Sequence, residues 1–206
     1  MSKRIGCLHT AASNVAVLER AAASLDGVAL RHIVRPDLLA AVGQAGGLTP
    51  AIVQETRAAL DELAGDCDAV LLTCSSLGEV IDDLVAPALP MLRIDRALAE
   101  RAVADGGRVI VLCAAPSSLE PTGALFRQAA QATGAQIELR LVADAWADFL
   151  AGDLAGYHAR IAVAVDVALA DETALVALAQ VSMADAVAPC ARVLTSPAIG
   201  LAAALR

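Results

Sequence analysis

The chain has 206 residues, enough for one large domain or two of roughly 100. It is 58% hydrophobic but only 2% aromatic, so its core must be built from Ala, Val, Leu and Ile, which suits helices packed on a parallel sheet. The formal charge of −8 and the absence of a dense Lys/Arg run argue against a nucleic-acid footprint and favour a small-molecule partner. No apolar run approaches the roughly 18 to 20 residues that cross a bilayer, and Ile5 to Leu8 is too short for a signal-peptide core. A cytoplasmic protein without membrane contact is expected. Five cysteines with no Cys-x-x-Cys fit reduced thiols better than disulfides or zinc. Cys7 and Cys113 read as equivalent residues inside apolar strands, where free cysteine packs as a small hydrophobe.

Short apolar runs alternate with stretches of helical periodicity, the pattern of βα units. Strands are expected near 4–9, 28–34, 68–73 and 91–94, then again near 108–113, 137–142, 175–179 and 192–194, four in each half. The stretch from Pro36 to Leu48, with Gly43, Gly46 and Gly47, reads as a mobile loop or a plain surface connection. Thr49-Pro50 and Ser196-Pro197 each offer an N-cap followed by proline at the first helical position. Ser76 to Glu79 and Ser117 to Glu120 fit capping boxes. Asp82 and Asp83, diverging on a helix, read as solvated carboxylates, and His32 as a surface residue.

The halves resemble each other. Val70 to Leu77 and Val176 to Met183 share one apolar-then-small-polar pattern at an offset of 106, and Arg4 to Asn14 repeats in Arg108 to Ser118 at 104. Internal duplication follows. The expected fold is α/β, with two pseudo-symmetric lobes, each a four-stranded parallel sheet flanked by helices, and a site in the cleft between them. The first lobe takes 1–95 plus 196–206, the second 96–195.

In parallel sheets the functional edge lies where strands end and helix N-termini begin, because unpaired backbone N–H groups there favour negative charge. His9, Thr10, Asn14, Cys74, Ser75, Ser76, Ser117, Ser118, Gln180 and Ser182 map to that edge. Its hydroxyls and amides suit a carboxylate ligand held without a metal or cofactor, and they can stabilise a developing enolate. A thiol at a helix N-terminus can have its pKa lowered, and although Cys74 taken alone reads as a packing residue, its place at the duplicated strand end fits a proton carrier or nucleophile. Ser76, Ser117 and Ser182 also read as N-caps, and His9 as an acid or base or as a hydrogen-bonded structural histidine. His158 reads as helical scaffolding. There is no Gly-x-Gly-x-x-Gly, P-loop or Gly-x-Ser-x-Gly, so nucleotide and esterase readings lose support.

The Leu-Leu-Thr-Cys74-Ser-Ser motif, the Ala115-Pro116-Ser117-Ser118 turn, the Leu178-Ala179-Gln180-Val181-Ser182-Met183 motif and the Thr195-Ser196-Pro197 ending resemble the aspartate/glutamate/hydantoin racemase superfamily over nearly the whole chain. The resemblance implies two α/β lobes, a possible homodimer, and cofactor-independent proton transfer beside a carboxylate or carbonyl by two cysteines facing the substrate carbon. Cys74 matches the first of these cysteines. The second is replaced, by Gln180 if Met183 aligns with Leu77 or by Ser182 after a slide of two, and neither titrates as a thiol does. Cys74, Gln180 and Ser182 are thus the catalytic candidates, with the other edge residues holding substrate. The expected function is racemisation or isomerisation of a small acid such as an amino acid or hydantoin. Single-thiol decarboxylation or cis-trans isomerisation of a dicarboxylate, chemistry similar to that of arylmalonate decarboxylases and maleate isomerases, is the alternative, as is a non-catalytic carboxylate-binding protein.

Overall fold

Eight strands and nine helices alternate through the computed structural model, which describes residues 2–206. By its internal contacts the chain divides into two units, Met1–Ala97 with Pro197–Arg206, and Leu98–Ser196. The first unit holds β1 (Lys3–His9), α1 (Ser13–Ala22), β2 (Val28–Val34), α2 (Pro36–Ala45), α3 (Pro50–Ala64), β3 (Ala69–Leu72), α4 (Glu79–Asp82) and β4 (Met91–Arg93). The helix α5 (Ile94–Val103) carries the chain into the second unit. That unit holds β5 (Arg108–Cys113), α6 (Leu119–Ala130), β6 (Gln136–Leu141), α7 (Ala145–Leu150), α8 (Leu154–Leu169), β7 (Ala174–Leu178) and β8 (Val193–Thr195), and α9 (Ser196–Ala204) follows it.

Each unit contains one fully parallel four-stranded sheet. The orders are β2-β1-β3-β4 and β6-β5-β7-β8, the same order of first, second, third and fourth strand. The central strands are apolar and buried over most of their length, Ala69–Leu72 throughout, because helices cover both sides of a parallel sheet. Leu8, Leu60, Leu63, Leu72 and Leu77 form the core of the first unit, and Ile110, Tyr157, Ile161, Leu178 and Met183 that of the second. No helix among the described residues is long and apolar enough to cross a membrane.

The two registers fix the correspondence between the halves. Leu8 pairs with Leu72 as Leu112 pairs with Leu178. The Thr73 amide donates to Leu8 and the Ala179 amide to Leu112, both at 3.0 Å. Beyond the strand end, the Leu77 amide donates to Cys74 and the Met183 amide to Gln180. Gln180, not Ser182, is therefore the counterpart of Cys74. The same register makes His9 the counterpart of Cys113, which corrects the equivalence of Cys7 and Cys113.

The stretch after Pro36 is helix α2, not a loop. Pro36 occupies the first helical turn, Leu38 and Val42 turn inward, and Gly46 closes the helix in the left-handed conformation (φ 72°) that a residue without Cβ adopts at no cost. Glycine there marked a helix end, and burial of one apolar face outweighed Gly43 inside it. Thr49 caps α3 by accepting from the Ile52 amide at 3.4 Å, as its sequence requires. Short 3₁₀ turns, Ser75–Leu77 and Pro116–Ser118, intervene between strand and helix, so Gly78 rather than Ser76 stands at the N-cap of α4 and Ser118 rather than Ser117 at that of α6.

Candidate active site

In the first unit the chain leaves β3 at Leu72 and turns sharply through the 3₁₀ segment, which presents Cys74 where extended backbone becomes helical. Cys74 belongs to the core cluster with Leu72, Leu77 and Val80 and is 9% exposed. Burial pushes its thiol above the ordinary value of 9.0. The Thr10 hydroxyl and the Ser76 and Leu77 amides act in the opposite sense by stabilising a thiolate, and the charge of Asp95 adds to the rise. The expected lowering at a helix N-terminus is thus overridden by desolvation. What remains is a thiol with thiolate-stabilising donors already in place.

Thr10 and Ser75 are buried beside this turn, and Ser76 is half-buried. Asn14, in the first turn of α1, is buried with its Oδ1 unpartnered. Such an atom loses solvation without return.

His9, expected at the substrate edge as an acid or base or as a hydrogen-bonded structural histidine, is turned inward. It is fully buried at the end of β1, and both ring nitrogens are engaged: Nδ1 with Thr73 Oγ1 and Nε2 with His32 Nδ1, each at 2.8 Å. Thr73 donates its hydroxyl hydrogen to the Leu8 carbonyl at 3.0 Å, so it accepts from His9 Nδ1–H. Burial, with a smaller contribution from the charge of His32, pushes His9 down to about 3, so the ring is neutral and its Nε2 accepts from His32. His32 Nε2 meets Glu19 Oε1 at 3.0 Å. His32 is therefore a bridge between sheet and helix rather than a surface group.

A second ionic group stands at the end of β4. Arg93 is buried and grips the buried Asp95 with two hydrogen bonds, Nε to Oδ1 at 3.0 Å and Nη2 to Oδ2 at 2.9 Å. Its Nη1 also binds Asp82, which Arg96 reaches at 2.7 Å. Asp82 is accordingly an ion-pair partner, not a solvated carboxylate. The guanidinium lies against Gly78, where a Cβ would overlap it. The Arg-x-Asp pair directly after a short apolar strand was the available sequence signal.

In the second unit the same strand-end position is closed. Gln180 Oε1 accepts from the Ala114 amide at 2.7 Å, and Nε2 donates to Ser118 Oγ. Ser118, fully withdrawn from solvent, donates in turn to the Ala115 carbonyl at 2.7 Å, while Ser117 is exposed. The carboxamide thus clamps the β5–α6 turn onto the β7 end. Ser182 Oγ bonds Tyr157 OH at 2.8 Å, and His158 Nε2 bonds the Ser182 carbonyl at 3.0 Å, not its hydroxyl. Burial pushes Tyr157 up to about 12, so the phenol stays protonated and cannot serve Ser182 as a base.

No protein-family model matches the sequence, and no curated protein matches it. Solved structures do. The chain is similar to Picrophilus torridus aspartate racemase (TM-score 0.74, 13% identity, covering 99% of this chain and 93% of that one). It is similar also to a glutamate racemase from Bacillus anthracis (TM-score 0.63, 12% identity, 98% and 79% covered) and to an allantoin racemase from Pseudomonas fluorescens (TM-score 0.58, 15% identity, 98% and 89% covered). Two parallel four-stranded sheets of one strand order, flanked by helices, give this chain the fold of the aspartate, glutamate and allantoin racemases.

Proposed function

We propose that the protein is a cofactor-independent racemase- or isomerase-type enzyme in which Cys74 moves a proton at the carbon next to a carboxylate or carbonyl of a small acid. The observation that carries this reading is the setting of Cys74. It is a thiol at the end of a central parallel strand, bonded by the Thr10 hydroxyl and facing the Ser76 and Leu77 amides. These donors stabilise the thiolate once a proton has left, and desolvation makes that thiolate a strong base. Thr10, Asn14, Ser75 and Ser76 supply the polar groups for the substrate. The unpartnered Asn14 Oδ1 favours a substrate with a donor N–H beside its carboxylate, as in an amino acid or a hydantoin.

A second reading within enzymes is favoured by Gln180. The counterpart of Cys74 carries an amide that is already bonded at both ends and does not titrate. One thiol suffices to protonate an enediolate after decarboxylation or to add to a double bond.

The test is solvent-deuterium exchange into small acids, read by NMR. Exchange at the α-carbon that disappears in Cys74→Ala supports the first reading. Release of carbon dioxide with one deuteron in the product supports the second. Exchange undiminished in Cys74→Ala overturns both.

A further inference from the structure

We infer that Cys7, His9 and His32 form a binding site for one transition-metal ion of borderline softness, zinc(II) being the best match to the donor set. Among the described residues these three make the one cluster whose ligating atoms, a thiol sulfur and two imidazole nitrogens, all lie within 4.8 Å of one another. The backbone fixes the cluster. Cys7 and His32 are direct partners in the parallel β1–β2 register, and His9 stands two residues beyond Cys7 on the same face of β1.

Each imidazole is also oriented as a ligand is. His9 Nδ1 is held by Thr73, itself pinned to the Leu8 carbonyl, and His32 Nε2 is held by Glu19. Both rings therefore turn their remaining nitrogen toward the shared centre, the arrangement by which a carboxylate or hydroxyl behind a histidine fixes its tautomer for metal. Cys7 Sγ has only a long contact, 4.0 Å, with the Ile5 carbonyl. One sulfur and two imidazoles suit zinc, and fit neither magnesium nor calcium.

Without metal, the two nitrogens meet at 2.8 Å across a shared proton. Two nitrogens bound to one zinc at about 2.0–2.1 Å lie about 3.3 Å apart at the tetrahedral angle, so the rings part by roughly half an ångström. Binding displaces the proton shared between His9 Nε2 and His32 Nδ1 and requires the Cys7 thiol to lose its own. The half-exposed Glu19 and the part-buried His32 mark the way in.

The test is a cobalt(II) titration of the full chain after chelation. One cobalt per chain is expected, with a thiolate-to-cobalt charge-transfer band and visible d–d bands. His32→Asn should abolish the bands. Glu19→Gln, a change at the surface, should weaken binding about 10- to 100-fold, the range for loss of a ligand's supporting partner. Cys74→Ser, Cys67→Ser and Cys190→Ser should leave the bands unchanged, which separates this site from the proposed catalytic thiol. Absence of a thiolate band, or a band lost with Cys67 or Cys190 instead, overturns the site and leaves the histidines as a hydrogen-bonded pair.

Discussion

Cys74 and Gln180 occupy one register position in two sheets of identical strand order, and only the first of them titrates. Duplication alone would have produced two equivalent strand ends. Their divergence gives the two ends different chemistry: one carries a thiol, the other knots its own turn together.

The pH dependence of turnover follows from the raised thiol of Cys74. If the thiolate abstracts the proton, its population grows about tenfold per pH unit while the pH is below the folded pKa. Activity should therefore climb through neutral pH without levelling before 9. If the thiol instead delivers a proton, the rate should stay flat there and fall only at higher pH. Initial rates between pH 6 and 10, with Cys74→Ala as blank, separate the two mechanisms.

Gln180→Ala should destabilise the protein by about 1–3 kcal/mol, because the Ala114 amide loses its acceptor and Ser118 its donor. Urea unfolding with an unchanged slope and a lower midpoint is the expected result. A midpoint equal to that of the parent would mean that the clamp is of no consequence to stability.

Arg93→Leu should cost about 3–5 kcal/mol, since it leaves the buried Asp95 charged without a partner. The double change Arg93→Leu with Asp95→Asn should recover part of that loss. Gly78→Ala should also destabilise by forcing the guanidinium off its seat. Thermal melts of the three variants decide the order.

Tyr157 is the sole tyrosine of the chain, so tyrosinate absorbance reports on it alone. Its folded pKa is about 12 against an ordinary 10.0. A raised folded value means that the stabilisation is complete below pH 10 and is lost as the pH rises from 10 toward 12, by about 1.4 kcal/mol per unit. Absorbance read within milliseconds of a pH jump should show a midpoint near 12. Tyr157→Phe should flatten the alkaline fall in stability.

All eight strands were legible from the sequence, because the central ones are short apolar runs and stretches of helical periodicity separate most strands from the next. The Cys74 turn was legible too, as the place where apolar residues give way to small polar ones. What sequence could not supply was partner identity. Ser118 read as a substrate-binding hydroxyl at the sheet edge, and nothing local shows that it donates to the Ala115 carbonyl and accepts from Gln180, the latter 62 residues away. His32 read as surface because nothing local reveals that it pairs with His9 across β1 and β2. Arg93 escaped notice although Asp95 stands two residues on, because its burial and its second carboxylate, Asp82 of α4, are set only when the helices are placed. The direction of the Cys74 shift depended on the depth of burial, which a lone strand-end motif does not disclose.

The first unit is discontinuous, whereas the second is a single unbroken stretch. Gly200 of α9 lies against Ile94, and Lys3 Nζ donates to the Leu205 carbonyl at 2.8 Å, so the first unit draws on residues from both sides of the second. On the ribosome the order of completion is accordingly reversed from the order of synthesis. The second unit has all its residues once Ser196 has emerged, while the first, begun earlier, stays incomplete until the α9 segment follows.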